Sequence, residues 1–398
     1  MSTPVIDDAY LKDILARLLA TPSPSGFTDA VTRLCCEELT RLGVPFEITR
    51  RGAIRARIQG GRRKPARAIV GHIDTLGAQI KALKDNGRME VVPIGHWSSR
   101  FAEGARCTVF TPEHGAFRGS ILPLKASGHT FNEEVDTQPV NWRQVELRPD
   151  VVAASQADLE ALGFNIGDFV AIDPQPEFLD NGFIVSRHLD DKAGVASMFA
   201  ALKAIVEGEE PLAVDTYFLF TITEEVGHGA SSVLSQDIAS MVTIDNGAAA
   251  PGQNSREFGV TISMADQTGP FDYHLTQKLL RLCRDEGIEH QRDIFRYYRS
   301  DSASAIEAGA DVRTALVTFG VDASHGYERI HIHALHSVAR LIRSYALSRV
   351  EIGRDSQELS DLTGFTDLPM DPAEETPWDG RDEAPETPSG EGNLGGQN

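Results

Sequence analysis

Two adjacent carboxylates, Asp190 and Asp191, sit in the stretch R-H-L-D-D-K-A-G (Arg187–Gly194), directly before an apolar helical run from Lys192 to Val206. An acidic pair at a strand-to-helix junction is unfavourable to bury unless a cation neutralises it, and this limits the folds open to the chain. Other metal-competent side chains recur at equivalent places. His72 follows the apolar run Ala66–Val70, Glu224 and Glu225 follow Asp215–Thr221, Asp245 follows Met241–Ile244, and His325 lies a short loop beyond Arg313–Phe319. An open α/β sheet places its ligand site at the carboxyl ends of its strands. One histidine after one strand reads most simply as a core or cap residue. Convergence from several strand ends reads as a site.

The hydrophobic periodicity predicts the scaffold that holds it. Asp7–Leu19 is amphipathic, with Tyr10, Leu11, Ile14, Leu15, Leu18 and Leu19 on one side, and it stops at the breaker-rich loop Thr21–Gly26. A second helix over Thr28–Leu42 meets Gly43 as a C-cap, and short strands follow over Phe46–Thr49, Ile54–Ile58 and Ala66–Val70. From about Gly77 to Ser186 helical periodicity nearly vanishes. Strand-like pieces (Met89–Ile94, Arg106–Phe110, Phe117–Leu122, Gln144–Leu147, Phe169–Ile172) alternate with turns, and only Ser155–Leu162 reads as helical. The βα rhythm then returns, with strands over Gly259–Met264 and near Gln291–Phe295, and helices near Ala230–Ser235, over Phe271–Glu286 and over Ile330–Leu347. The fold class expected is α/β: a mostly parallel central sheet with helices on both faces. Residues 1–76 and 187–352 would build it, with an inserted all-β domain over 77–186 and an acidic tail over 353–398.

The formal charge is −20, and from Glu351 onward 13 acidic residues face 2 basic ones. That tail is rich in Glu, Asp, Pro, Gly and Ser, so disorder is expected there. The charge sign disfavours a nucleic-acid partner. Apolar runs such as Tyr217–Ile222 are too short to span a bilayer, and Met1–Lys12 lacks the basic flank and apolar core of a signal peptide. Cys35, Cys36, Cys107 and Cys283 show no C-x-x-C spacing. They suit buried thiols in a reducing compartment, so a cytoplasmic location is expected.

Charge arithmetic favours metals at the site. Asp190, Glu225 and Asp245 bring three negative charges into one pocket, which two divalent cations and a hydroxide would balance. Mixed imidazole and carboxylate donors suit zinc or cobalt, with manganese as a further candidate, better than calcium or magnesium. The expectation is that Asp190 bridges two divalent metal ions and that His72, Glu225, Asp245 and His325 complete the cage. Glu224 is then free to act as general base on metal-bound water and to protonate the leaving amine. Asp74, in His72-x-Asp74, is placed to accept a proton from the second ring nitrogen of His72 and fix its tautomer.

The series H-x-D, L-D-D-K-A-G, T-E-E-V-G, I-D and S-H-G-Y-E resembles the glutamyl-aminopeptidase and deblocking-aminopeptidase family of co-catalytic metallopeptidases, over roughly Asp7 to Ala346. That family includes dodecameric, tetrahedral aminopeptidases. The resemblance implies a zinc-exopeptidase-like fold, with His72, Asp190 and Asp245 on one metal and Asp190, Glu225 and His325 on the other. It implies Asp191 and Glu328 as supporting residues, and Asp301 as a brace for the site or for the substrate's amine. It also implies a β-rich insertion that helps build a homo-oligomer, dimer-based and up to a dodecamer, acting on small peptides. Thr75, Lys192, Gly326 and Tyr327 depart from the family pattern beside the site. The stretch Ala126–Trp142 is similar to a branch associated with the osmoprotectant N-acetylglutaminylglutamine amide.

Two competing readings therefore stand beside the aminopeptidase. One is an amidohydrolase or deacylase acting on a small N-acylated dipeptide amide. The other is a non-catalytic scaffold whose metals stabilise an oligomer, against which a spare base at Glu224 argues. His331, His333 and His336 are expected on the last helix at spacings poor for one metal. His129 is assigned equally to a loop role or to a neighbouring subunit's site, and His188 and His228 receive no role.

Overall fold

The structure, a computed structural model, describes residues 6–208, 210–235, 237–356, 361–362 and 365. Most of the acidic tail, and the disorder expected of it, lies outside the described residues, as does the start of Met1–Lys12. The body ends at Arg349. Beyond it, Gly353–Ser356 forms a single 3-10 turn.

Helices α1 (Asp8–Ala20) and α2 (Asp29–Arg41) precede strands β1 (Phe46–Ile48), β2 (Ile54–Ile58) and β3 (Arg62–His72). The Asp7 carboxylate caps α1 by accepting from the Tyr10 amide at 3.0 Å, and the helix buries the six apolar residues that its periodicity singles out. Strands β4 (Gly77–Leu83), β5 (Met89–Ile94), β6 (Arg106–Thr111), β7 (Gly115–Pro123), β8 (Val145–Pro149) and β9 (Phe169–Ile172) close into a barrel with its own apolar core. Between them lie α3 (Gly128–Phe131), α4 (Glu134–Thr137) and α5 (Gln156–Ala161). Only α5 was legible as a helix, because α3 and α4 are single turns, too short to show a 3.6-residue period. A hairpin of β10 (Glu177–Phe178) and β11 (Phe183–Ser186) then leads into α6 (Leu189–Gly208) and β12 (Val214–Thr221). After β13 (Ile238–Ala248) come β14 (Val260–Asp266), β15 (Gly269–Pro270), α7 (Tyr273–Asp285) and β16 (His290–Ile294). The body closes with α8 (Asp301–Glu307), β17 (Arg313–Val321), β18 (Glu328–His331) and α9 (Ile332–Leu347).

Among the described residues the main sheet has nine strands, in the order β1-β2-β12-β3-β13-β17-β14-β15 with β16 beside β14. Its centre, β12-β3-β13-β17, is parallel throughout, and its flanks include antiparallel pairs. All eight residues of β12 are buried, as both-face coverage demands. Side-chain parity shows the two faces. A Cβ on Gly71 would meet Met198 and Val195 of α6, and Ser240 bonds Tyr345 of α9 at 2.9 Å. On the opposite face Thr243 bonds Ser302 of α8 at 2.8 Å. Helix α6 is apolar around its whole circumference, as a helix enclosed by protein must be. Its one early cation, Lys192, donates to the carbonyls of Leu18 (2.8 Å) and Thr21 (2.6 Å), where α1 ends.

Three expectations need correction. The helix expected near Ala230–Ser235 is a single 3-10 turn over Gly229–Ser232. Strand β13 does not stop before Asp245. It runs on to Ala248 in register with Val321, so Asp245 sits within the parallel ladder, opposite Thr318. The last helix begins at Ile332, because Glu328–His331 is a strand that pairs with β11 and the His331 side chain caps the helix at the His333 amide. His331 is therefore not a helical residue.

The Phe199 ring of α6 stacks on Phe220 of β12 with centroids 4.9 Å apart, which fixes the helix whose start carries the acidic pair. Phe199→Ala is expected to destabilise the protein by about 3–5 kcal/mol, read as a fall in the denaturant midpoint. A loss below about 1 kcal/mol would show that α6 is held elsewhere.

Candidate metal centre

Asp190 and Asp191 have non-helical backbone angles, so the chain turns at the entrance to α6 before the helix proper starts. This turn separates the two carboxylates. Asp190 faces the ends of β3 and β17, while Asp191 points back into the packing between β3 and α6. One oxygen of Asp191 accepts from the His72 amide at 3.2 Å. There is room for that carboxylate because Gly194 and Gly71 lack side chains: a Cβ on Gly194 would lie 2.1 Å from Asp191 Oδ1, and one on Gly71 would lie 2.8 Å from Oδ2.

The Asp190 carboxylate is shared. His72 Nε2 lies 3.2 Å from Oδ1, and His325 Nε2 lies 3.2 Å from Oδ2. Donor atoms of His72, Asp190 and Asp245 lie within 4.8 Å of one another, and so do those of Asp190, Glu225 and His325. Among the described residues these are the two groups placed to hold an ion. The structure thus brings together all five residues singled out as ligands. Glu224 Oε2 stands 3.7 Å from His72 Nε2, and Glu225 Oε2 stands 3.7 Å from His325 Nε2. The Glu224 side chain is 14% exposed and that of Glu225 only 3%, so Glu224 is the one of the pair open to an incoming molecule.

The supporting residues have definite tasks. Glu328 accepts from the Asp190 amide at 3.1 Å and from the His325 amide at 2.9 Å, tying the two ligand-bearing loops together. Asp301 accepts from Thr221 Oγ1 (2.6 Å) and the Ala230 amide (2.7 Å), bracing the loop after β12. Asp74 differs from expectation. The Nδ1 of His72 meets the main-chain carbonyl of Asp74 at 3.0 Å, and the Asp74 carboxylate is 3.6 Å from that nitrogen. That carboxylate instead accepts from Ser25 Oγ at 2.5 Å and from the amides of Glu224 (3.1 Å) and Glu225 (3.3 Å). It anchors the acidic turn.

Several contributors were not legible in the sequence. Asn246 donates to Asp190 Oδ2 at 2.6 Å, and the carbonyl of His96 meets His325 Nδ1 at 2.8 Å. Asn246 follows Asp245 along β13, and that adjacency was the only signal for it. The remaining histidines are bound elsewhere or exposed. His188 bonds the Ile172 carbonyl (2.9 Å), His331 the Asn181 carbonyl (3.1 Å), and His333 the Gly259 amide (3.2 Å). His336 lies 3.9 Å from Asp8, and His129 and His228 are exposed.

So many buried carboxyls cannot all ionise without cations. Burial and neighbouring carboxylates push Glu225 and Asp245 each up to about 8, Glu328 up to about 7 and Asp301 up to about 6. Asp191 and Glu224 rise well above the usual range for the same reasons. Asp190 goes the other way: burial opposes its charge, but hydrogen bonds from His325 and His72 outweigh it. The imidazoles are raised in turn against burial, His72 by Asp190 and Asp74, His325 to about 10 by Asp190 and Glu225. Glu225 Oε1 is buried without a hydrogen-bond partner, an unusual state for a carboxylate oxygen. Two histidines, three carboxylates and an orphaned oxygen fit divalent metal ions of the zinc type. A narrow cleft with a free volume of only about 10 Å³, lined in part by Leu76, Trp97, Ile172, Arg187 and Gly326, opens onto Asp190, Glu225 and His325.

A mostly parallel α/β sheet with two such clusters sharing one aspartate is a framework suited to metal-assisted hydrolysis. Comparison with known proteins makes the class specific. The model of the M42 glutamyl aminopeptidase family matches residues 52–341. The Bacillus subtilis (strain 168) protein named "Putative aminopeptidase YhfE" is 33% identical over 336 residues, covering 84% of this chain and 97% of that one. Among solved structures, the TET aminopeptidase of the marine archaeon Thaumarchaeota archaeon SCGC AB-539-E09 superposes with a TM-score of 0.77 at 19% identity, covering 85% and 96% of the two chains. The Pyrococcus horikoshii TET1 peptidase, described as assembling into a tetrahedron or a large octahedral shell, gives 0.74 at 21% identity over 85% and 99%. The chain belongs to the M42 glutamyl aminopeptidase family. It is a metallo-aminopeptidase, and its fold is that of the TET enzymes.

The pKa shifts set a pH dependence for the metal-free protein. Glu225 and Asp245 keep protons when folded that they lose when unfolded, so their burial destabilises the fold progressively from about pH 5 to 8. The raised imidazole of His325 stabilises fully below about pH 6.5 and loses that contribution as pH rises toward 10. Both slopes run downward with pH. Asp190, held low, acts oppositely but only below about pH 4. Chelated protein should therefore melt at a lower temperature at pH 8.5 than at pH 6, and a divalent metal should remove the difference. A melting temperature that rises between those pH values without metal would contradict these assignments.

Proposed function

We propose that the protein cleaves the N-terminal peptide bond of small peptides with two divalent cations, zinc or cobalt, with manganese as a further candidate. His72, Asp190 and Asp245 would hold one and Asp190, Glu225 and His325 the other. Such ions supply a lowered pKa for a coordinated water and polarisation of a carbonyl. The observation that carries this reading is the single Asp190 carboxylate facing a different histidine through each oxygen.

Glu224 takes a proton from the attacking water and passes it to the leaving amine as the carbon–nitrogen bond breaks. Its position beside His72 and its greater exposure than Glu225 support that role. Asp74 holds the Glu224 and Glu225 amides, which keeps the base and its ligand neighbour apart in direction. Leu76, Trp97 and Ile172 border the narrow mouth of the ligand cluster and would touch the substrate's first residue there. The names of the matched relatives favour peptide bonds over an N-acylated dipeptide amide and over a non-catalytic scaffold.

We assign residues 77–186, which carry the barrel, to substrate access and subunit assembly. A closed homo-oligomer is supported by the shell-forming TET1 peptidase of the same fold. A cytoplasmic location agrees with four free cysteines. No helix among the described residues is long and apolar enough to cross a membrane.

Glu224→Gln should lower kcat by about 10²- to 10⁴-fold on aminoacyl-4-nitroanilides, with metal content unchanged by elemental analysis. Near wild-type turnover would remove Glu224 from the mechanism. Cleavage of N-acetylated dipeptide amides in preference to free aminoacyl anilides would replace the peptidase reading with the deacylase one.

A further inference from the structure

The loop between β16 and α8 reads F-R-Y-Y-R-S-D, and it carries two tyrosines with opposite fates. Tyr297 is 94% exposed. Tyr298 turns inward. Its ring packs on Phe295, centroids 5.5 Å apart, within a small cluster that includes Phe271 and Leu316. Its carbonyl accepts from the Gln267 amide at 3.0 Å, so backbone and ring are both fixed.

The end of that ring is the unexplained part. The Tyr298 hydroxyl is buried, and no acceptor among the described residues meets it at hydrogen-bonding geometry. Buried hydroxyls are rarely left this way. Its surroundings are not apolar: it faces the Asp245 carboxyl without reaching it at full hydrogen-bonding geometry, and Asp190 and Glu224 are charged neighbours. The hydroxyl is thus a fixed donor at the rim of a centre whose other groups are candidate metal ligands or acceptors.

A hydrolysed peptide bond creates a need for such a donor. When water attacks, the scissile carbonyl opens and its oxygen gains negative charge, and a preorganised donor aimed at that position lowers the barrier. We propose that Tyr298 is a further catalytic residue of this aminopeptidase, donating its Oη hydrogen to the scissile carbonyl oxygen as charge develops there. The phenol keeps its proton throughout. The carbonyl reforms as the carbon–nitrogen bond breaks, and the amine receives its proton from Glu224. The inference rests on the di-metal reading above, with the carbonyl bound between Asp245 and Glu224. Sequence alone does not reveal it, because Tyr297 and Tyr298 are chemically identical and only the turn into α8 separates them.

The test is Tyr298→Phe in the full-length, metal-loaded enzyme, compared with wild type on the aminoacyl-4-nitroanilide that wild type cleaves best. The expected result is a fall in kcat of about 10²- to 10³-fold with KM nearly unchanged. Metal content should match wild type, and a phosphinic dipeptide analogue with a tetrahedral oxyanion should lose affinity by the same factor as kcat/KM. A kcat within about threefold of wild type would overturn the proposal. So would loss of one metal with kcat restored by excess metal, since Tyr298 would then only position Asp245. If Glu224→Gln abolishes turnover while Tyr298→Phe does not alter it, the function stands and this inference alone fails. A wild type inactive on every anilide would overturn both.

Discussion

The structure depends on one carboxylate being claimed from two sides. Asp190 presents one oxygen to His72 and the other to His325, each at 3.2 Å, and belongs to both candidate ion clusters. Coulomb energy explains why so much of the fold converges on it. A buried carboxylate is tolerated only where opposite charge or donors surround it, and here they come from β3, β13 and the loop after β17. Asn246 donates to it, and Glu328 grips both its own amide and that of His325. The sheet order β3-β13-β17 is what makes these three strand ends neighbours.

Around that carboxylate the fold keeps space as carefully as it keeps charge. Asp191 is buried under His72 because Gly71 and Gly194 leave room for it. Gly229 does the same for Asp301, where a Cβ would lie 1.8 Å from Oδ1. The glycine of L-D-D-K-A-G is thus a steric requirement of the acidic pair before it. The lysine of the same motif is spent on the end of α1, so a motif that reads as purely catalytic also ties the N-terminal helix to the site.

Much of this was legible in the residues. Strand-length apolar runs ending in His, Glu or Asp marked His72, Glu224 and Glu225, since side-chain type and position relative to a strand are local properties. The limits of that reading were also physical. Asp245 lies inside its strand because β13 continues by pairing with β17, a contact remote in sequence. The His72 ring meets the carbonyl of Asp74, and only backbone geometry decides between that oxygen and the carboxylate. Barrel closure depends on strand registers that no local pattern encodes. The start of α9 was misplaced because β18 is recognisable only from its partner β11.

The most direct measurement is the metal stoichiometry of the folded chain and of Asp190→Asn, by elemental analysis after exhaustive dialysis against buffered zinc. The account predicts two ions per wild-type chain and the loss of both from the variant, with the fold retained by circular dichroism. A variant that keeps two tightly bound ions, or a wild type that saturates with one, would contradict a shared carboxylate at the centre of this protein.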